Sequence, residues 1–253
     1  MELGIAHKFN VKMSDSEQPR GVVAFCLLPN RDFVFVDREG MFTICNIFGS
    51  FKNRFAIDLD EIRDITSIGD FTIAVAAGKD HVTLVNIKQK QKMAQTLPTS
   101  NACYGLDYNN GLLWMGTYGG GLYSANLSEY TISKFFSISG SILYVTTSQN
   151  NVCMSNSYED TVTLFDPLAK VIWKFLDKDL LRSPNRLTSD ANGNIYVLNS
   201  SGVVCISAHG KQARKLIDSE YGIGSIADIH YDNAQHILIT VNTGGNVVIY
   251  NCP

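Results

Sequence analysis

No stretch of this 253-residue chain carries helical periodicity of useful length, which leaves an all-β class. The opening residues, MELGIAHKFN, lack the apolar run that a secretory signal needs. The longest apolar run, Val22–Leu28, is too short to span a membrane. Six cysteines (26, 45, 103, 153, 205 and 252) stand singly, without a CxxC pair. They read as small buried hydrophobes in a reducing compartment rather than as a zinc or disulfide framework. The cytoplasm is therefore the expected location. No Ser/His/Asp set occurs at a workable spacing, and the five histidines are scattered. Gly116–Gly121, GTYGGG, lacks the GK[ST] ending and following helix of a phosphate loop. It reads as a turn with Tyr118 at its tip.

What the chain does have is a repeat. Ser189–Lys211 reads as strand, turn, strand, turn, strand, with Asn192-Gly193 marking the first turn. Aligned on the second strand, the apolar cores are Val34–Val36, Ile73–Val75, Leu113–Met115, Val152–Met154, Ile195–Val197 and Ile237–Ile239. Their steps of 39, 40, 39, 43 and 42 residues have the period of a propeller blade. A third strand repeats in step and ends each time in Asn, Asp or Ser: Asn46, Asn86, Asn126, Asp166, Ser207 and Asn251. Short polar side chains there accept from the following backbone and start a turn.

The expectation is one domain, residues 1–253: a six-bladed β-propeller with four-stranded antiparallel blades. Five blades fall near 22–57, 63–97, 103–138, 141–177 and 184–218, and a sixth at Ile226–Cys252 has only three strands of its own. His7–Met13 alternates, with Phe9, Val11 and Met13 apolar, and lacks a blade. It is assigned as the outer strand of the last blade, which closes the ring and removes an exposed edge. Ser14–Gly21 is a polar linker. Outer strands are expected at Lys52–Ile57, Lys92–Leu97, Lys134–Ile138, Val171–Leu176 and Ala213–Asp218.

DANGNIYV (Asp190–Val197), CISAHGKQARKLI (Cys205–Ile217) and IHYDNAQHILIT (Ile229–Thr240) resemble the NHL-type β-propeller of tripartite-motif proteins, especially the invertebrate expansions. KFNVKM (Lys8–Met13) and LLPNRDFVFVD (Leu27–Asp37) are similar to the corresponding segments. The sequence carries no RING zinc ligands, B-box or coiled coil, so the family's ubiquitin-ligase chemistry maps onto no residue here. What the resemblance implies is a role in recognising a substrate or RNA.

Alternate residues of the innermost strands line the channel. Ala24, Asp64, Gly105, Tyr144, Arg186 and Asp228 form one ring; Cys26, Thr66, Asp107, Thr146, Thr188 and His230 form the next. With six blades, Asp64 faces Arg186 and Asp107 faces His230. Such a channel is either a polar pocket for a small ligand or cation, or an internally paired, water-filled passage. The second is expected, with Asp64, Arg186 and Asp228 as a paired cluster. No catalytic residue, metal ligand or cofactor is assigned.

Charge separates by face, although the net charge is only −3. The face bearing the inter-blade connections and the turns between second and third strands is acidic (Asp58, Asp60, Asp80, Asp160, Asp177, Asp179). The opposite face carries a basic excess, including Lys88, Lys90 and Lys92. The first functional reading is a non-catalytic module that binds a basic or mixed-charge protein segment on the inter-blade face. The assigned contacts are Arg38, His81, Tyr118, Tyr158, Arg182, Arg186 and Tyr221. An RNA-binding propeller is the alternative, opposed by the acidic face, since nucleic-acid affinity comes from basic patches. A calcium-dependent propeller hydrolase is the third reading. Asp64, Asp107 and Asp228 would contribute there, but Arg186 among them opposes a dication. No membrane association is expected, and the isolated domain is expected to be a monomer.

Overall fold

The computed structural model describes residues 3–11, 21–138, 140 and 141, 143–218 and 226–252. Among the described residues there are twenty-four strands and no helix, hence none long and apolar enough to cross a membrane. The strands form six four-stranded antiparallel sheets. Five run in chain order from inner to outer strand: Val22–Leu27 to Phe51–Ala56, Asp64–Ser67 to Gln91–Pro98, Cys103–Asn109 to Thr131–Phe136, Leu143–Ser148 to Val171–Leu176, and Leu187–Ser189 to Ala213–Asp218. The sixth takes Ile226–Asp232, Ile237–Asn242 and Asn246–Asn251, with Gly4–Asn10 as its outer strand. Inner strands pack on one another in cyclic order, the sixth against the first. The fold is a six-bladed β-propeller.

The apolar triplets are explained by where the second strands sit. Each is covered on both faces, so alternation disappears and near-continuous burial replaces it. In Phe33–Asp37 every residue is buried. Val34 and Val36 join Ile73 and Val75 in the layer toward blade two, while Phe33 and Phe35 join Ile239 and Val247 in the layer toward blade six. Each such side chain removed from water stabilises the ring by roughly 1.5–3 kcal/mol.

The repeated polar residues start turns by the expected mechanism. Asn46 Oδ1 accepts from the amides of Phe48 and Ser50, and Asp166 Oδ1 accepts from those of Leu168 and Lys170. The turns between second and third strands use the same device at Asp37, Asn156 and Asn199. Gly193 takes the left-handed φ of +88° that the Asn192-Gly193 turn requires.

Some boundaries differ from expectation. The closing strand begins at Gly4, because Asn251 and Tyr250 offer pairing partners to Gly4 and Ile5, and it ends at Asn10 after a bulge between Ile5 and His7. Phe9 packs against Phe33, ring centroids 5.9 Å apart. Val11 lies beyond the strand yet is fully buried, its amide donating to Gly245 O at 2.8 Å. Met13 and the linker up to residue 20 lie outside the described residues. In blade three the outer strand starts at Thr131, directly opposite Asn126, rather than at Lys134.

Candidate functional site

Two concave regions meet on the propeller axis. The first is the mouth on the inter-blade face, a depression of about 470 Å³. Its lining includes Arg38, Glu61, Arg63, Tyr104, Tyr144 and Arg186. Arg38 is exposed on the turn after the second strand of blade one. Tyr118 and Tyr158 occupy the equivalent turns of blades three and four, 52% and 82% exposed. His81 opens the third strand of blade two, with Nδ1 2.9 Å from Asp80 Oδ1. Arg182, between blades four and five, donates from Nε to Lys178 O at 2.9 Å. Tyr221 lies outside the described residues.

An aromatic–cation run leads inward from Tyr118. Its ring lies 6.4 Å from that of Tyr104, and Arg63 sits over Tyr104 at 4.9 Å. Tyr104 meets Tyr144 edge-on at 6.4 Å, and Arg186 covers Tyr144 at 5.3 Å. Arg63 is fixed by Glu61 Oε2 at 2.6 Å and by the Gly78 carbonyl. The sequence pattern alone does not single out Arg63 and Tyr104, because they flank the channel positions instead of occupying them. Arg63 immediately precedes Asp64, and Tyr104 immediately precedes Gly105, so each points away from the ring its neighbour joins.

Arg186 forms the floor. It is 6% exposed and precedes the short inner strand Leu187–Ser189. Its Nη1 binds Asp64 Oδ1, and its Nε lies 3.4 Å from Asp228 Oδ1. Its Nη2 donates to Val23 O at 3.0 Å and Arg63 O at 2.6 Å. Each carboxylate also crosses to the next blade: Asp64 Oδ2 accepts from the Leu106 amide at 2.7 Å, and Asp228 Oδ2 from the Phe25 amide at 2.9 Å. Burial pushes the Asp228 carboxyl up to about 7 and raises Asp64 as well, in both cases against the pull of Arg186. Burial disfavours the Arg186 charge, but Asp228 and Asp64 more than offset this and raise its pKa.

Beyond that floor lies the second region, a cavity of about 520 Å³. The turn residues Gln149, Ala191 and Asn233 form its rim, so it opens on the face opposite the mouth. Asp64, Asp107, Tyr144, Asp228 and His230 all line it, as do Thr66, Thr146 and Thr188. Asp107, expected to face His230 across the channel, bonds to the neighbouring blade. Asp107 Oδ2 instead accepts from Thr147, from its amide and from Oγ1 at 2.7 Å, because the neighbouring inner strand is nearer than the opposite one. Burial raises the Asp107 carboxyl in spite of these bonds, and burial lowers His230. Among the described residues, no group of three or more His, Cys, Asp or Glu gathers to hold a metal.

No family model matches the sequence, and no curated protein matches it. Among solved structures, the fold is similar to the Cps50 (Swd1) β-propeller domain of Myceliophteria thermophila. The TM-score is 0.71 at 13% identity, covering 94% of this chain and 86% of that one. At that identity the likeness concerns the propeller fold alone.

Proposed function

We propose that this protein is a non-catalytic recognition propeller that docks a basic or mixed-charge protein segment on its inter-blade face. The observation that carries the reading is the pair of exposed tyrosines, Tyr118 and Tyr158, on equivalent turns of adjacent blades beside the mouth. Aromatic and arginine side chains are the usual interface anchors, and loops on a rigid scaffold are the usual place for them. Tyr118 is backed by Tyr104, whose own ring is covered by Arg63, so it is presented without much loss of freedom on binding. The surrounding carboxylates steer basic segments toward the face, while Arg38 and Arg63 at the mouth suit an acidic group within the same ligand. A role as the substrate-recognition propeller of a tripartite-motif-like ubiquitin ligase, acting in the cytoplasm, follows from the sequence resemblance and belongs to this proposal. RNA ranks second, because phosphate would meet the acidic rim. The hydrolase reading ranks last, because the oxygens of Asp64 and Asp228 are already engaged by Arg186 and by backbone amides.

The test is binding to an immobilised panel of basic, acidic and mixed-charge peptides. The double variant Tyr118→Ala/Tyr158→Ala is expected to lose peptide binding with an unchanged melting temperature. The assignment is overturned if binding survives that change and is lost on neutralising Lys88, Lys90 and Lys92. Titration with single-stranded RNA at rising salt separates the second reading from the first.

A further inference from the structure

The face remote from the mouth combines protruding apolar side chains with lysines. Each of the first five blades turns there twice, from first to second strand and from third to outer strand. Asn46 and Asp166 start equivalent turns of blades one and four, and each accepts from the amide two residues on, that of Phe48 and that of Leu168. The side chains at these two tips are 72% and 88% exposed. Blades one and four are opposite in a ring of six, so the tips stand at opposite edges of one face. Between them, Phe71 on the first turn of blade two and Tyr130 on the last turn of blade three are also exposed. His7 meets the Phe48 ring edge-on at 6.4 Å and helps to fix it.

Lysines are interleaved with this arc. Lys88, Lys90 and Lys92 lie on and just after the last turn of blade two, and Lys170 follows Leu168 by two residues. Lys88 Nζ sits 5.1 Å over the Phe71 ring. None of these four lysines makes an ion pair among the described residues. Of the acids along the arc, Asp32 is held by Lys52 at 2.6 Å and Asp166 Oδ1 by backbone amides, which leaves Asp70 and Glu129.

We propose that this face rests on an anionic lipid bilayer, with Phe48 and Leu168 inserted among the headgroups and the lysines at phosphate depth. An apolar tip alone is ordinary surface. Apolar tips set among lysines match a surface that is apolar below and anionic above, and binding there grows with both the apolar area buried and the charge attraction. Lysine stems allow the ammonium to stay at the headgroups while neighbouring side chains go deeper. A nucleic acid would engage the lysines but leave Phe48 and Leu168 in water. A fluid bilayer also adapts to tips spread across the whole ring. Such contact needs no spanning segment, so the expectation of no membrane association, drawn from the short apolar runs of the sequence, gives way here. The tyrosine surface lies on the other face, so this proposal stands or falls independently of the peptide-docking reading.

The experiment is co-sedimentation of the full chain with phosphatidylcholine vesicles, with and without about 30 mol% phosphatidylserine, at about 0.1 M and about 0.5 M salt. Binding is expected to the anionic vesicles at least about tenfold tighter than to the neutral ones, and to weaken at the higher salt. Phe48→Ser/Leu168→Ser is expected to lower that affinity at least about tenfold with an unchanged melting temperature. Lys88→Gln/Lys90→Gln/Lys92→Gln is expected to lower it as well and to flatten the salt dependence. Tyr118→Ala/Tyr158→Ala is expected to bind vesicles as wild type does. A tryptophan placed by Leu168→Trp is expected to be quenched by brominated lipid, and one placed by Tyr158→Trp on the other face is not. The proposal is overturned if anionic vesicles are not bound, if neutral vesicles bind equally, or if Phe48→Ser/Leu168→Ser binds as wild type does. Lysine-dependent binding of single-stranded RNA without vesicle binding assigns the face to nucleic acid and likewise overturns it.

Discussion

Arg186 of blade five donates from Nη2 to the carbonyl of Arg63 of blade two at 2.6 Å, crossing the channel to do so. The same nitrogen reaches Val23 O of blade one. Arg186 thus ties blades one and two, a junction at which neither Ala24 nor Cys26 offers a carboxylate. Other junctions are tied from the inner strands themselves, by Asp64 to Leu106, Asp107 to Thr147, Thr188 to Tyr231 and Asp228 to Phe25. Replacing Arg186 with Met leaves two buried carboxylates without a cation and two carbonyls without a donor. The expected loss is about 3–5 kcal/mol in urea unfolding, the range for breaking a buried pair. Adding Asp64→Asn and Asp228→Asn to the Arg186→Met variant is expected to recover part of it. An Arg186→Met protein as stable as wild type removes the clamp from the account.

The same cluster sets a pH dependence. The Asp228 pKa is raised in the folded state to about 7, above the value near 4 of an unfolded aspartate. In that window the folded protein binds the extra proton, so stability from this group is fully present below the unfolded value and is lost as pH rises through about 7. Asp64 is raised in the same direction and adds to the effect. Stability measured from pH 5 to 8 is expected to fall on the order of 1–3 kcal/mol through these groups. A tenfold difference in proton affinity between folded and unfolded chains is worth about 1.4 kcal/mol, and the two carboxylates share one guanidinium and so titrate together. Asp228→Asn is expected to flatten that slope. An equal slope in the variant assigns the dependence elsewhere.

The blade code was legible because it is local. A turn starter, a buried triplet and a second turn lie within some twenty residues, and each is decided by its own neighbours. The innermost rings were legible for the same reason, since strand alternation alone puts Asp64 and Asp107 on the channel. What Asp107 does there was not, because sequence carries no width for the channel. A short aspartate reaches the adjacent strand at Thr147, whereas only a side chain as long as Arg186 crosses the axis. The part that Arg63 and Tyr104 play at the mouth is not legible in the sequence, because it arises from stacking between blades two, three and four.

Close approach of neighbouring blades gives a further test. A Cβ at Gly105 would lie 2.6 Å from Tyr144 Cα and 2.9 Å from Val145 N, both backbone atoms of the next blade. Gly105→Ala is expected to lower stability by about 1–3 kcal/mol, since that strand has to move away from its neighbour. Gly69, with nothing within 4 Å of its Cβ position, is the control, and Gly69→Ala is expected to stay within about 0.5 kcal/mol. Equal melting temperatures for the two variants contradict this packing.

Removing residues 1–11 takes away the outer strand of the sixth blade together with Phe9 and Val11. Two lost apolar contacts of roughly 1.5–3 kcal/mol each, plus an unpaired Asn246–Asn251 edge, are comparable to the whole stability of an ordinary domain. The truncated chain is expected to aggregate or to melt well below the intact one. An unaltered melting temperature shows that closure lies elsewhere.

The closing strand also dictates an order of events. Every other described strand pairing joins consecutive strands of one blade, with His81 and Pro98 among the most widely separated partners, and such hairpins form in microseconds. Gly4–Asn10 meets Asn246–Asn251 only after the intervening chain exists and has curled through a full circle. During synthesis the first strand therefore waits unpartnered while five blades assemble. The final pairing bears the largest loop-closure entropy in the molecule. Refolding should thus be governed by a late, high-contact-order step that is insensitive to the blade hairpins and sensitive to residues 4–10.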